Sequence, residues 1–137
     1  MNRLRIALYI LAGLLVVLLA GFLWGRSGLS AARTDLNATR LRLHLSQSRS
    51  NLLAARVDLF EVNFGRASQH LQAAKVGLQD AENELNGQRR GDEAARVKDV
   101  ASRVVRAQDQ VGRLDQSANT RIGEAVTLLE RIANSGQ

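Results

Sequence analysis

The hydrophobic residues of this chain follow two different patterns. From Ile6 to Trp24 they form an uninterrupted apolar run that contains no charged side chain. After Leu29 they recur every three or four residues instead, which is the spacing that places side chains on one face of an α-helix. The pattern therefore predicts an all-α protein in which one wholly apolar helix precedes a region of amphipathic helices.

The apolar run has the length of a transmembrane helix. At about 1.5 Å per residue it covers roughly the 30 Å hydrocarbon core of a bilayer. Tyr9 and Trp24 lie near its ends, where aromatic rings favour the headgroup level. We therefore expect a tail at residues 1–5, a transmembrane helix at 6–24 and a juxtamembrane hinge at 25–28. A cleaved signal peptide is the competing interpretation, which the length of the run disfavours.

The orientation and packing of this span follow from its flanks and its glycines. A short cationic tail is readily retained in the cytoplasm, whereas a long following domain is translocated largely regardless of its charge. We therefore expect a bacterial inner-membrane protein with a periplasmic C-terminal domain, although the arginines after the span favour the opposite orientation. Gly13, Gly21 and Gly25 predict a surface on which another transmembrane helix could pack closely.

Two long heptad seams follow the span. The first repeats every seven residues from Leu29 to Leu85, and the second runs with a three–four spacing from Val97 to Ile132. We predict a first long helix at 29–85, a loop at 86–91, a second long helix at 92–134 and a tail at 135–137, with Asp92 as the N-cap of the second helix. Helices joined by so short a loop must run antiparallel, which predicts a coiled-coil hairpin.

One antiparallel register sets large seam residues against small ones. It pairs Ala81 with Val97 near the loop and Phe60 with Ala118 farther along. A break in the first helix, near residues 46–51 or at Gly65, would instead give a three-helix bundle. The heptad phase continues through both places, which favours a single helix.

Apolar residues also occupy positions outside the seams, in the half of the hairpin nearest the span. A soluble hairpin has no reason to keep such a strip exposed, so we predict that it contacts another chain or a third helix. The predicted partner interface consists of Leu52, Leu59, Val62, Ile122, Val126 and Leu129.

The composition argues against several functional classes. Without cysteine the chain has no disulfide, thiolate metal site or cysteine nucleophile. Its charge of +6 comes mostly from arginines that are interleaved with acids and lack aromatic partners, so we do not expect nucleic-acid binding. His44 and His70 are too far apart on one helix to share a metal ion, and both are predicted to be solvated.

No phosphate loop, catalytic constellation or concave pocket can be assembled on a helical hairpin, so we expect neither an enzyme nor a cofactor nor a small-molecule substrate. The sequence favours a noncatalytic structural or assembly subunit of a bacterial membrane complex for energy transduction, secretion or division. Its partners would be the lipid bilayer and other subunits, or a second copy of the chain. The alternatives are a homodimeric four-helix-bundle sensor and a phage-type, envelope-spanning coiled coil.

Overall fold

The computed structural model describes the backbone of residues 2–135, with the side chains of residues 2–8, 10, 12, 20 and 23–33 outside the described set. The described elements are α1 (Asn2–Phe60), α2 (Phe64–Gly87), α3 (Gly91–Gly112) and α4 (Ala118–Ser135). They include no β-strand, so the all-α prediction is confirmed. The chain divides into two compact units, residues 1–38 and 39–137.

The described residues of the first unit belong to the first part of α1. No helix in the described part of the chain is long and apolar enough to cross a membrane. The predicted span at 6–24 includes residues whose side chains lie outside the described set, namely Ile6, Ala7, Leu8, Ile10, Ala12, Ala20, Leu23 and Trp24. Helix α1 begins at Asn2 and continues unbroken through the predicted tail at 1–5 and the predicted hinge at 25–28. An isolated glycine costs a helix interior only about 1 kcal/mol, so Gly25 and Gly28 do not end it.

In the second unit, residues 39–135 form a four-helix bundle. The last part of α1 lies between α2 and α4. His44 Nδ1 is 3.9 Å from Asp80 Oδ2 of α2, and Arg49 Nη2 is 2.7 Å from Glu130 Oε1 of α4. Helix α3 packs against α2 and α4. Because consecutive helices are joined by short turns and run antiparallel, the topology is up-down-up-down instead of an extended hairpin or a three-helix bundle.

Each of the two predicted long helices is broken once. The helix predicted at 29–85 ends at Phe60 and resumes at Phe64, and the helix predicted at 92–134 ends at Gly112 and resumes at Ala118. In the predicted register Phe60 lies opposite Ala118, so the two breaks fall at the same level of the hairpin. The hairpin is therefore folded back, with one half packed against the other.

The first break is a Schellman motif at the C-terminus of α1. The Val62 N–H donates to the Leu59 carbonyl at 3.1 Å, and the Asn63 N–H donates to the Asp58 carbonyl at 2.7 Å. Val62 has a φ of 58°, the left-handed conformation that usually selects glycine at this position. Asn63 then caps α2, because its side-chain oxygen accepts from the Arg66 N–H at 3.2 Å.

The helices α2 and α3 end with the same motif. Arg89 and Leu114 each have a φ of 59°, and in each turn the next N–H reaches the carbonyl five residues back. The turn after α2 places the start of α3 at Gly91, with Asp92 inside the first helical turn, so the predicted N-cap at Asp92 is wrong. None of the three left-handed positions is a glycine. The end of α2 nevertheless lies in the loop predicted at 86–91, whereas no turn is predicted at Val62 or Leu114.

The bundle core uses the predicted seam rows of α2 and α3 but not that of α1. In α1, Val57 and Phe60 of the seam are exposed, so the predicted contact of Phe60 with Ala118 is wrong. The seam of α1 carries Ser46 and Ser50, and burying the leucine-rich outer row removes more apolar surface from water. The buried rows are Leu41, Leu45, Leu52, Ala55 and Leu59 in α1; Ala67, Leu71, Ala74, Leu78, Ala81 and Leu85 in α2; Ala94, Val97, Val100, Val104, Ala107 and Val111 in α3; and Ala118, Ile122, Ala125, Val126, Leu129 and Ile132 in α4.

Candidate functional site

The predicted partner interface lies mostly inside the bundle. Its members Leu52, Leu59, Ile122, Val126 and Leu129 are all buried. In an extended hairpin they would face outward, but the fold-back covers them with the other half of the same chain. Burial against other helices of the same chain is one of the two predicted possibilities, and only Val62, which is 60% exposed, stays available to another chain.

The glycines predicted to support transmembrane packing lie in the first unit. A Cβ atom added at Gly13 or Gly21 would meet no atom within 4 Å. The surroundings of Gly25 lie outside the described set. Close packing of another helix at these glycines stays a prediction.

Three large apolar side chains are exposed at the end of the bundle where α1 turns into α2 and α3 turns into α4. Phe60 is 70% exposed, Val62 60% and Leu114 68%. We call these three residues the apolar tip. Both turns hold a left-handed, non-glycine residue, and the apolar tip includes both of them. Backbone strain of this kind tends to concentrate at functional sites.

A buried carboxylate links α1 to α2 just before the first turn. The Asp58 side chain is 3% exposed, with Oδ1 3.3 Å from Arg66 Nε and Oδ2 3.5 Å from His70 Nε2. On the other side of the ring, His70 Nδ1 lies 3.2 Å from Asn51 Oδ1. The expectation of a solvated His70 is therefore wrong, because the imidazole connects two side chains of α1. The Arg66 guanidinium lies beside this buried carboxylate, but Asp58 Oδ2 has no hydrogen-bond partner among the described residues, so the burial is compensated only in part.

The described residues offer no metal site. They contain no group of three or more histidine or acidic side chains that could hold a metal ion. His44 and His70 both lie between α1 and α2, each beside a different aspartate, Asp80 and Asp58. Each histidine therefore takes part in a contact between helices, and the geometry provides no shared ligand set.

The turn between α3 and α4 contains an exposed carboxylate with an altered acidity. The Ser117 backbone N–H donates to Asp115 Oδ1 at 2.8 Å, and the Ser117 hydroxyl donates to Oδ2 at 2.8 Å. These hydrogen bonds, the backbone one first, hold the pKa of Asp115 below its usual 3.8. The interaction fixes the turn that starts α4.

A groove lies between the first half of α3 and the last turns of α4. Its volume is about 520 Å³, so the expectation that the chain offers no concave pocket is wrong. Sequence reasoning missed the groove because it forms only when α4 folds back beside α3. The lining residues are Ala95, Arg96, Asp99, Val100, Leu128, Arg131, Ile132 and Ser135.

No protein-family model, curated protein or solved structure matches this chain. Its function must be argued from its own residues, which provide an apolar run, a bundle with an apolar tip and a groove.

Proposed function

We propose that this chain is a noncatalytic, single-pass membrane protein that serves as a structural or assembly subunit of a larger bacterial membrane complex. The observation that carries the proposal is the charge-free apolar run from Ile6 to Trp24. The described apolar side chains of this run are 53% to 75% exposed, from Leu19 to Tyr9. A helix that is apolar on every side belongs in a protein interior or a bilayer, and this one has no polar face to offer to water.

The proposal places the bundle in the periplasm of a bacterium and the short cationic tail in the cytoplasm. Arg3 and Arg5 precede the apolar run. Positive charges beside a span favour the cytoplasmic side, so these two arginines support retention of the short tail in the cytoplasm. The residues after the span form a domain of four helical segments, which translocates largely regardless of charge.

The apolar tip is the proposed contact with another protein subunit. The folded-back arrangement buries most of the apolar surface that an extended hairpin would expose. Phe60, Val62 and Leu114 stay exposed. Large exposed apolar side chains at one end of a small domain support protein binding. The span would hold the bundle near the membrane, and the tip would contact the partner.

The fold disfavours the two alternative functions. The homodimeric sensor is based on two hairpins that together form a four-helix bundle. Here one chain supplies all four helical segments, so a second copy is not needed to complete the bundle. An envelope-spanning coiled coil needs long helices, whereas the fold-back halves the reach of the hairpin.

The membrane anchor can be tested by alkaline carbonate extraction of membranes from bacteria that express the full chain. We expect the wild type to resist extraction and a Val16→Arg/Leu19→Arg variant to be released, because each arginine costs about 2.5–3.5 kcal/mol at the centre of a span. The matched control is Leu43→Arg/Val57→Arg, which adds the same charge at exposed positions outside the run. Release of the wild type, or retention of the span variant, would contradict the anchor.

The apolar tip can be tested by purification of the full chain from mild detergent and identification of the proteins that accompany it. We expect a defined set of subunits at fixed stoichiometry with the wild type, and loss of that set with Phe60→Ser/Leu114→Ser. The control Val76→Ser/Val105→Ser removes exposed valines from the sides of α2 and α3. If tip and control variants retain the same partners, the tip is not the contact.

A further inference from the structure

The groove between α3 and α4 has an apolar floor. Val100 and Ile132 are buried side chains of the core, and Leu128 beside them is partly buried. Small side chains, Ala95 and Ser135, leave the space open at the edges. A volume of about 520 Å³ lies within the range of about 300–1,000 Å³ that is typical of small-molecule sites.

The rim of the groove is positively charged on both sides. Arg96 belongs to α3 and Arg131 to α4, and both side chains line the groove. Neither guanidinium has a carboxylate partner within 4.0 Å among the described residues. The acid on the rim, Asp99, is already engaged, since its Oδ2 lies 3.1 Å from Arg103 Nε. Two guanidiniums without a described carboxylate partner, one on each helix, therefore line the same groove as the apolar floor.

We propose that this groove binds an amphipathic anion, an unbranched acyl chain that carries a negatively charged head group. The apolar floor would take the chain, and Arg96 and Arg131 would hold the head group from opposite sides. Guanidinium groups bind carboxylate and phosphate with strong charge-assisted hydrogen bonds. A neutral apolar ligand would leave both arginines unused, and a small anion would leave the floor uncovered. The inference is independent of the membrane-complex proposal, because it uses residues of α3 and α4 alone.

The head group could belong to a free fatty acid or to an anionic phospholipid. The experiment uses the full chain in nanodiscs of neutral phospholipid and adds a long-chain fatty acid that bears a diazirine on its acyl chain. In a second arm the same diazirine-bearing acyl chain is instead built into phosphatidylglycerol, which is added to the nanodisc in place of the free fatty acid. After irradiation, mass spectrometry locates the labelled peptides. We expect labelling of residues 95–100 and 128–135 in at least one arm, and the arm that labels identifies the source.

The charge requirement is tested with matched variants. Arg96→Gln/Arg131→Gln should reduce labelling of the groove about tenfold or more, since two charge-assisted contacts are lost. The control Arg113→Gln/Arg121→Gln removes two exposed arginines outside the groove lining and should label like the wild type. Excess unlabelled laurate should compete, whereas acetate and dodecanol should not.

The apolar requirement is tested separately with Ala95→Leu, which fills one edge of the groove and leaves both arginines in place. It should lower labelling while circular dichroism shows unchanged helix content. Labelling that is absent from the groove in both arms would overturn the proposal. So would labelling that is unaffected by the double arginine change, or that dodecanol competes as well as laurate does.

Discussion

At the scale of single residues, the fold depends on side chains that hold an unfavourable backbone conformation. A left-handed residue other than glycine costs roughly 1–2 kcal/mol, and a β-branched residue such as Val62 is among the least suited to it. The Schellman hydrogen bonds around Val62 and Leu114 and the packing of the helices on either side maintain these conformations. These two turns therefore end α1 and α3 without a glycine at the left-handed position, although glycine would adopt that conformation without strain.

We predict that Val62→Gly increases the free energy of unfolding by about 1 kcal/mol, because glycine adopts a positive φ without strain. The measurement is urea denaturation of the full chain in detergent, followed by circular dichroism. The control is Val76→Gly, an exposed position inside α2, where glycine should lower the stability instead. Shifts of the same sign in both variants would show that the turn is not strained.

A second residue-scale prediction concerns Asp115. We expect its carboxyl group to titrate below 3.8 in the folded chain, because both hydrogen bonds from Ser117 favour the charged form. A lowered pKa in the folded state means that this stabilisation is present above about pH 3.8 and is lost as the pH falls through the folded pKa. Carbon-detected NMR titration measures the pKa directly. Ser117→Ala keeps the backbone bond and should move the pKa only part of the way back; a titration at or above 3.8 in the wild type contradicts the geometry.

At the scale of elements, α1 and α2 meet at a crowded and incompletely satisfied place. The hydroxyl of Ser48 is buried and has no hydrogen-bond partner in the part of the chain that the structure describes. It faces Gly77, where an added Cβ would lie 2.5 Å from Ser48 Oγ. A glycine in the interior of α2 weakens that helix, yet here it allows α1 to approach.

We predict that the effect of Gly77→Ala depends on residue 48. In the wild-type background the new methyl group collides with the Ser48 hydroxyl, and the change should lower the free energy of unfolding. In a Ser48→Ala background the nearest side-chain atom would be the Cβ at 3.8 Å, so the alanine should approach its normal helix preference and cost less or stabilise. A double-mutant cycle measured by thermal unfolding should give coupling of at least about 0.5 kcal/mol. Additive effects would indicate that these two residues do not touch.

The elements also show what the sequence could predict. The predicted seams located the buried rows of α2, in the first predicted helix, and of α3, in the second, because each of these helices has a single apolar face. Helix α1 has two apolar rows, and periodicity cannot decide which row faces the core. The turns at Val62 and Leu114 lack glycine or proline, and the heptad phase continues across them. Gly65 lies close to the first break and is one of the two places where a break is considered, but the continuous phase favours a single helix. The apolar tip and the groove depend on those breaks and were therefore not predictable.

At the scale of the whole bundle, the extended hairpin and the folded-back bundle have nearly the same helix content and share antiparallel pairing of α2 with α3. They even keep α1 beside α4, since Arg56 Nε donates to Asn119 Oδ1 at 2.9 Å and Arg49 contacts Glu130. The two arrangements differ in which face of α1 is buried. The extended hairpin buries the row of Val57, and the bundle buries the row of Leu59.

We therefore predict that truncation of these two neighbours has opposite consequences in the two arrangements. Leu59 is 2% exposed, and Leu59→Ala should cost about 2–5 kcal/mol of stability, since it removes core contacts and leaves a cavity. Val57 is 56% exposed, and Val57→Ala should change the stability by less than about 0.5 kcal/mol. Urea denaturation of the full chain in detergent measures both, with equal helix content before denaturation as the check that both variants fold. A larger loss for Val57→Ala than for Leu59→Ala would mean that the hairpin is extended in solution. In that case the outer leucine row would again be the surface available to a partner, and Phe60 and Leu114 of the apolar tip would be buried in the seam.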